Sequence, residues 1–205
     1  VQLLLPTLIM SLAALAILVI QRDLGTASLF ILIYSAVLYL ASQRKRMLLV
    51  SMLVLVIAGV AGYLAFDVVR IRVDAWINPW LDPSGRSYQI VQSLLAVASG
   101  GLIGRGPGLG SPGVVPVAHS DFIFASISEE TGLFGAVALL GLYAILVGRG
   151  YRLALHATNN YQRYLAAGIT TYLAAQAIFI IGGNLRLLPL TGVTLPFVSY
   201  GGSSL

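Results

Sequence analysis

The 205-residue sequence contains no cysteine and very little charge. Without cysteine it has no disulfide framework, no thiolate metal site and no cysteine nucleophile. Only 9% of its residues are charged, whereas soluble domains carry roughly a quarter. The sequence also lacks the G-x-S-x-G motif of hydrolases and the P-loop pattern of nucleotide-binding ATPases. These absences exclude an ordinary cytosolic domain and two common classes of enzyme.

Apolar residues make up 58% of the chain and occur in long runs. Each run can cross the roughly 30 Å of hydrocarbon in a bilayer. The runs lack the alternation of a β-barrel, and a lipid-exposed helix satisfies its own backbone hydrogen bonds. We therefore predict an all-α, polytopic transmembrane helix bundle with five full spans and the start of a sixth. The spans are predicted at residues 3–20, 24–41, 47–66, 122–147 and 164–181, with the sixth beginning near Pro196.

The chain opens inside an apolar run and stops without a polar tail, so we expect it to be an internal piece of a longer membrane protein. Its charges sort between the two sides of the membrane. The second and fourth loops contain basic residues and no acid: Arg44, Lys45, Arg46, Arg149, Arg152 and Arg163. Because basic residues near span ends stay in the cytoplasm, all seven acids are predicted on or toward the outer side. The net charge of +5 thus indicates topology and does not favour a nucleic-acid partner.

The one long stretch between spans, residues 67–121, is predicted to be a large extracytoplasmic loop. Apolar residues between Tyr88 and Ala98 recur at helical spacing, which predicts a short helix at the membrane interface. A glycine-rich run follows at residues 100–110. It is typical of a flexible re-entrant turn, but Arg105 in its middle also suits an anionic head group, because a guanidinium matches phosphate oxygens.

Four carboxylates are candidate functional groups, each with an ordinary structural alternative. Asp121 precedes the fourth span, where it is either the helix N-cap or a partly desolvated general base. Glu129 and Glu130 lie about two turns into that span, where charge is costly and marks either function or a buried ion pair with an arginine of helices outside this sequence. Asp23 lies in the hairpin before the second span, where it caps that helix, pairs with Arg22 or takes part in the site. The residues alone leave these alternatives open.

Several segments, taken in order, resemble the SEDS family of bacterial membrane proteins, the RodA and FtsW type. The hairpin Gln21 to Thr26 is similar to the family's Q-P-D-L-G-T, and residues 76–104 are similar to its large outer loop. Residues 116–124 and 129–132 resemble its P-E-x-H-T-D-F-I-F and E-E-x-G segments. Residues 189–204 resemble its closing signature. Three positions depart from the pattern: Arg22 stands in place of proline, Val117 in place of glutamate, and Ser120 in place of threonine, which keeps the hydroxyl.

The resemblance implies a peptidoglycan glycosyltransferase that polymerises lipid II at the outer face of the bacterial cytoplasmic (inner) membrane. It implies a class B penicillin-binding protein as partner, and by motif position it makes Asp121 the catalytic residue. The candidate substrate-binding residues are Arg105, Arg186, His119, Glu129, Glu130, Asp23, Ser199 and Tyr200. A divalent cation, Mg or Mn, is the one cofactor considered, and its ligands are unknown. The alternatives are a lipid II flippase and a non-enzymatic scaffold for a penicillin-binding protein.

Overall fold

The computed structural model describes residues 4–21, 23–110 and 119–200, and within these ranges helices are the only regular secondary structure. A single 3-10 turn, Pro79–Leu81, follows the fourth α-helix. The departures at Arg22 and Val117 lie outside the described residues. The α-helices are α1 (Leu4–Ile20), α2 (Leu24–Ser42), α3 (Lys45–Ala65), α4 (Asp67–Ile77), α5 (Tyr88–Gly100), α6 (Ile123–His156) and α7 (Asn160–Asn184).

The structure confirms an all-helical, multi-pass membrane architecture. The helices α2, α3, α6 and α7 are long and apolar enough to cross a bilayer, and α1 contributes a shorter apolar helix at Ile9–Ile20. The predicted interface helix is α5, whereas α4 was not predicted. The sixth span does not begin in residues 196–200, which form turns, because Phe197 has a left-handed φ of 64°. Residues 201–205 lie outside the described part of the chain.

The core forms around α7, which packs between α6 and α2. Half of its apolar window is buried, whereas α3 is almost wholly exposed, as expected for a helix that faces lipid. The helix α5 packs on the first part of α6. The segment after α7 folds back onto the bundle, where Leu195 is fully buried against α6 and α7. This arrangement gathers the ends of α4, α5 and α7 around the beginning of α6.

A glycine interrupts α6 and divides it into two helical segments. Gly132 has φ 67° and ψ −164°, far from helical values. The loop after α5 enters this break and pairs with backbone groups that the two segment ends cannot satisfy themselves. The four hydrogen bonds run from Arg105 N–H to Glu129 O (3.0 Å), Gly106 N–H to Glu130 O (3.0 Å), Leu133 N–H to Gly101 O (2.9 Å) and Phe134 N–H to Leu102 O (3.3 Å).

The glycine run makes this insertion sterically feasible. A Cβ on Gly104 would lie 2.1 Å from the carbonyl oxygen of Glu130, and one on Gly132 would lie 2.4 Å from the amide nitrogen of Gly104. Both residues also have left-handed φ, at 86° and 67°. The predicted re-entrant turn is therefore held by backbone hydrogen bonds inside a broken helix.

Candidate functional site

Asp121 lines a cavity of about 230 Å³ between α4, α5, the start of α6 and the segment at residues 190–192. Its polar lining comes from Asp121, two arginines and an amide: Arg72, Arg86 and Gln89. Two positive charges thus face one carboxylate. Such a cavity suits an anionic ligand that also presents a hydroxyl group, because guanidinium groups bind phosphate oxygens strongly.

The side chain of Asp121 does not cap α6. The helix begins at Ile123, so the N-cap position belongs to Phe122, whose side chain makes no hydrogen bond to the first turn. The carboxylate is partly buried, and among the described residues it accepts one hydrogen bond, from Ser120 Oγ at 3.1 Å. The structure thus excludes capping of α6 by the Asp121 carboxylate, which was one of the two alternatives that the sequence left open.

The two arginines of the cavity were not among the sequence-predicted residues. Arg72 on α4 donates through Nη1 to the carbonyl oxygens of Thr191 (3.1 Å) and Leu190 (3.4 Å), which fixes it beside the cavity. The guanidinium of Arg86 makes no hydrogen bond or ion pair with the described residues. One face of α4 lines the cavity with residues spaced i, i+3, i+4 and i+7, namely Val68, Ile71, Arg72 and Ala75. An arginine at helical spacing among apolar residues is the sequence signal that could have indicated this face.

An apolar groove of about 540 Å³ adjoins this cavity. Its walls come from α2, α3, α4 and residues 189–191, and they are mostly aliphatic. Val68, Arg72 and Leu190 line both spaces, so the groove and the cavity meet at the Arg72 side chain. One continuous surface therefore offers an apolar channel, a guanidinium and a carboxylate.

The turn that carries Asp121 is tied to the segment after α7. Tyr200 N–H donates to His119 O at 2.9 Å, and the two rings meet edge to face at 6.0 Å between centroids. Ser199 Oγ donates to Ser120 O at 2.8 Å. The structure thus brings His119, Ser199 and Tyr200 together at the turn of Asp121, and their contact with substrate stays a prediction.

The intramembrane acids lie at the break in α6 and do not line the Asp121 cavity. Glu129 pairs with Arg105, with 2.9 Å between Oε1 and Nη1, and its side chain is 4% exposed against 45% for the arginine. Ser99 Oγ also approaches Glu129 Oε1, at 3.4 Å. Glu130 lies beside Gly110. The ion-pair alternative therefore holds for Glu129, but its partner belongs to the loop of this chain.

Two further predicted residues have local structural partners. Asp23 caps α2, because its carboxylate accepts from Thr26 N–H at 3.1 Å and from Thr26 Oγ1 at 2.6 Å. Arg186 closes the end of α4 by donating to Trp76 O (2.8 Å) and Ile77 O (2.6 Å), and Trp76 Nε1–H returns a bond to Arg186 O. Neither side chain lines the cavity of Asp121.

The chain was also compared with known proteins. The family model FTSW_RODA_SPOVE, described as a cell cycle protein, matches residues 1–205. The peptidoglycan glycosyltransferase RodA of Mycobacterium tuberculosis is 43% identical over 189 residues, which are 92% of this chain and 40% of that protein. Stage V sporulation protein E of Bacillus subtilis is 38% identical over 206 residues, which are 98% and 55%.

A solved structure shows the same fold. A chain of a peptidoglycan synthase complex, in which polymerization and crosslinking are structurally coordinated, matches with a TM-score of 0.73 at 30% identity. That match covers 96% of this chain and 55% of the other. The present chain spans about half the length of its relatives. Because the family model matches over all of its residues, the chain belongs to the FtsW, RodA and SpoVE family of cell cycle proteins.

Proposed function

We propose that the protein to which this chain belongs is a peptidoglycan glycosyltransferase that polymerises lipid II into glycan strands. The observation that carries the proposal is the junction at Arg72 of an apolar groove with a cavity that contains Asp121. Lipid II has a polyprenyl tail, a diphosphate and a disaccharide-pentapeptide. Those three parts match, in order, the aliphatic groove, the guanidinium groups and the carboxylate.

The aliphatic groove supports binding of the lipid tail. Its volume of about 540 Å³ is within the range of roughly 300–1,000 Å³ that ligand sites occupy. The groove is formed by helices that face lipid, so a tail can enter it from the bilayer without crossing water. At its end, Arg72 and Arg86 supply positive charge for the diphosphate. This assignment replaces Arg105, whose guanidinium is paired with Glu129, and Arg186, whose guanidinium closes α4.

In the proposed reaction Asp121 is the general base. The hydroxyl of the acceptor sugar attacks the anomeric carbon of the donor and forms a new C–O bond while its proton passes to the carboxylate. The bond from that carbon to the diphosphate oxygen breaks, and the leaving polyprenyl diphosphate keeps the electron pair. A single displacement inverts the configuration at the carbon. Arg72 and Arg86 stabilise the charge that develops on the leaving group.

The described residues do not fit a divalent cation in this role. Within the described ranges, no three histidine or carboxylate side chains come together. The cavity itself offers one carboxylate beside two guanidinium groups, a set that would repel a cation. We therefore assign the neutralisation of the diphosphate charge to Arg72 and Arg86.

The sidedness of the reaction follows from the charge distribution of the sequence. With the basic loops in the cytoplasm, the stretch 67–121 and the Asp121 cavity lie at the outer face of the inner membrane, where lipid II is consumed. A class B penicillin-binding protein is the proposed partner. The similarity to a chain of a peptidoglycan synthase complex that coordinates polymerization with crosslinking supports this partner.

The test is an assay of the purified intact protein on lipid II in detergent, with glycan products separated by size. Asp121→Asn should abolish polymer formation, because the amide cannot accept the proton. Asp74→Asn is the matched control, since Asp74 is an exposed acid on α4 that pairs with Tyr63 and does not line the cavity. The control should retain polymerisation, and both proteins should melt at the wild-type temperature.

Three outcomes would contradict the proposal. Polymer formation by Asp121→Asn would remove the assigned base. Translocation of lipid II across liposomes without polymer would support the flippase instead. If the wild-type protein forms no polymer but still binds a penicillin-binding protein, and Asp121→Asn only lowers its melting temperature, the scaffold alternative holds.

A further inference from the structure

Asn184, the last residue of α7, is fully buried and reaches both Asp121 and the first turn of α6. We propose that Asn184 is a positioning residue that takes over the capping of α6 and so leaves the Asp121 carboxylate available for chemistry. The proposal rests on the proposed function, because it concerns the same site.

The Asn184 amide forms hydrogen bonds to three backbone groups. Its Oδ1 accepts from Ala125 N–H at 3.1 Å, and its Nδ2 donates to Asp121 O at 2.8 Å and to Ile180 O at 2.9 Å. Ala125 is the third residue of α6, so its N–H is one of the first-turn donors that an N-cap side chain normally satisfies. The cap of α6 therefore comes from another helix.

This contact explains why Asp121 does not cap α6. An aspartate next to a helix start ordinarily bonds the free N–H groups of the first turn, as Asp23 does at the start of α2. At α6 the Asn184 side chain accepts the hydrogen bond from one of these groups, the N–H of Ala125. It also donates to the carbonyl oxygen of Asp121 and so holds the main chain there. The carboxylate is left with Ser120 Oγ, its one hydrogen-bond donor among the described residues, and lines the cavity.

The main chain of Asn184 is in turn held from α5. Ser93 Oγ, which is also fully buried, donates to Asn184 O at 3.1 Å. The helices α5, α6 and α7 thus meet at Asn184. A shift in Asn184 would displace the base relative to the donor sugar, and a misplacement of about 1 Å can lower a rate about 100-fold.

The experiment compares kcat and KM for lipid II in the intact protein carrying Asn184→Ala or Gln176→Ala. Gln176 is the matched control, because it is a buried amide on the same helix whose Nε2 donates to Tyr172 Oη at 2.8 Å, away from the cavity. Both substitutions should lower the melting temperature. Only Asn184→Ala should lower kcat, by at least about tenfold, with KM within twofold of the wild type, because the cavity arginines that bind the diphosphate are untouched.

A third variant, Asn184→Asp, separates the accepted hydrogen bond from the two donated ones. It keeps an oxygen for Ala125 N–H but cannot, when ionised, donate to Asp121 O or Ile180 O. If capping by Asn184 is what leaves the carboxylate available, Asn184→Asp should retain a kcat above that of Asn184→Ala. Equal kcat in Asn184→Ala and Gln176→Ala, with Asp121→Asn inactive, would overturn the positioning role alone. An active Asp121→Asn would instead overturn the proposed function.

Discussion

The insertion of the loop into α6 can be tested with two glycines of the same loop. Gly104 and Gly108 both have left-handed φ, at 86° and 75°. Alanine at either position should therefore cost a similar backbone strain of about 1–3 kcal/mol. The two sites differ in their surroundings. A Cβ at Gly108 meets no atom within 4 Å, whereas a Cβ at Gly104 would lie 2.1 Å from the carbonyl oxygen of Glu130.

Gly104→Ala should expel the loop from the break, because the contacting atoms belong to the backbone and cannot rotate away. The two hydrogen bonds next to Gly104, donated by Arg105 and Gly106, would be lost first, followed by the two bonds to Leu133 and Phe134. At about 1 kcal/mol net for each bond, Gly104→Ala should be less stable than Gly108→Ala by about 2–4 kcal/mol. For a chain of this size that difference lowers the melting temperature by about 4–16 °C.

The assay is thermal unfolding of both variants in the same detergent, followed by tryptophan fluorescence. Trp76 lies in the last turn of α4 and Trp80 in the 3-10 turn, and both belong to the stretch 67–121 that also contains the loop. Equal melting temperatures for Gly104→Ala and Gly108→Ala would refute the inserted loop, since the strain that both share would then account for the whole effect.

Two further predictions concern charged side chains outside the Asp121 cavity. Arg105→Ala should destabilise the protein more than the double variant Arg105→Ala/Glu129→Gln, because the single change removes the positive charge that faces a buried carboxylate. A double-mutant cycle of melting temperatures measures this, and additive effects would contradict the pairing. Asp23→Ala should lower stability by about 1 kcal/mol through loss of the α2 cap, while Asp23→Asn retains the cap and polymerisation; a loss of polymer in Asp23→Asn at wild-type stability would show that Asp23 does more than cap.

The sequence predicts the helices well because the signal for them is local. A run of apolar residues specifies a span without reference to any other segment, and the predicted span at residues 24–41 becomes α2 almost residue for residue. The helix that begins at Tyr88 was found in the same way, from spacing along one face, and its place at the membrane interface stays a prediction. Residues 196–200 form turns although Pro196 and Phe197 are apolar, with Tyr143 Oη donating to Pro196 O, and the sixth span stays a prediction.

The partners of the charged side chains were not predictable in the same way. Arg105 and Glu129 are 24 positions apart, and nothing local indicates that a loop bends back into a helix to join them. Arg105 was therefore considered as a ligand for an anionic head group, although the Glu129 carboxylate already neutralises its charge. Arg72 was overlooked for the converse reason, because its role depends on the distant carbonyl groups of residues 190 and 191.

Asp121 shows where local and tertiary information meet. Its position before an apolar run is that of an N-cap, and the motif resemblance indicated a catalyst. The structure explains how capping can be absent at such a position: the amide of Asn184, 63 residues away, bonds the first turn instead. No pattern within a window around Asp121 contains that information.

The distance along the chain between those two residues has a consequence for biosynthesis. The ribosome completes Asp121 and the start of α6 long before it reaches residue 184. Until α7 has entered the bilayer and docked, the amide groups of the first turn of α6 lack the partner supplied by Asn184, and the nearby aspartate is free to bind them. A nascent chain halted before α7 would thus hold its acid in a dormant arrangement, and the proposed reactivity of Asp121 would arise only once α7 has docked.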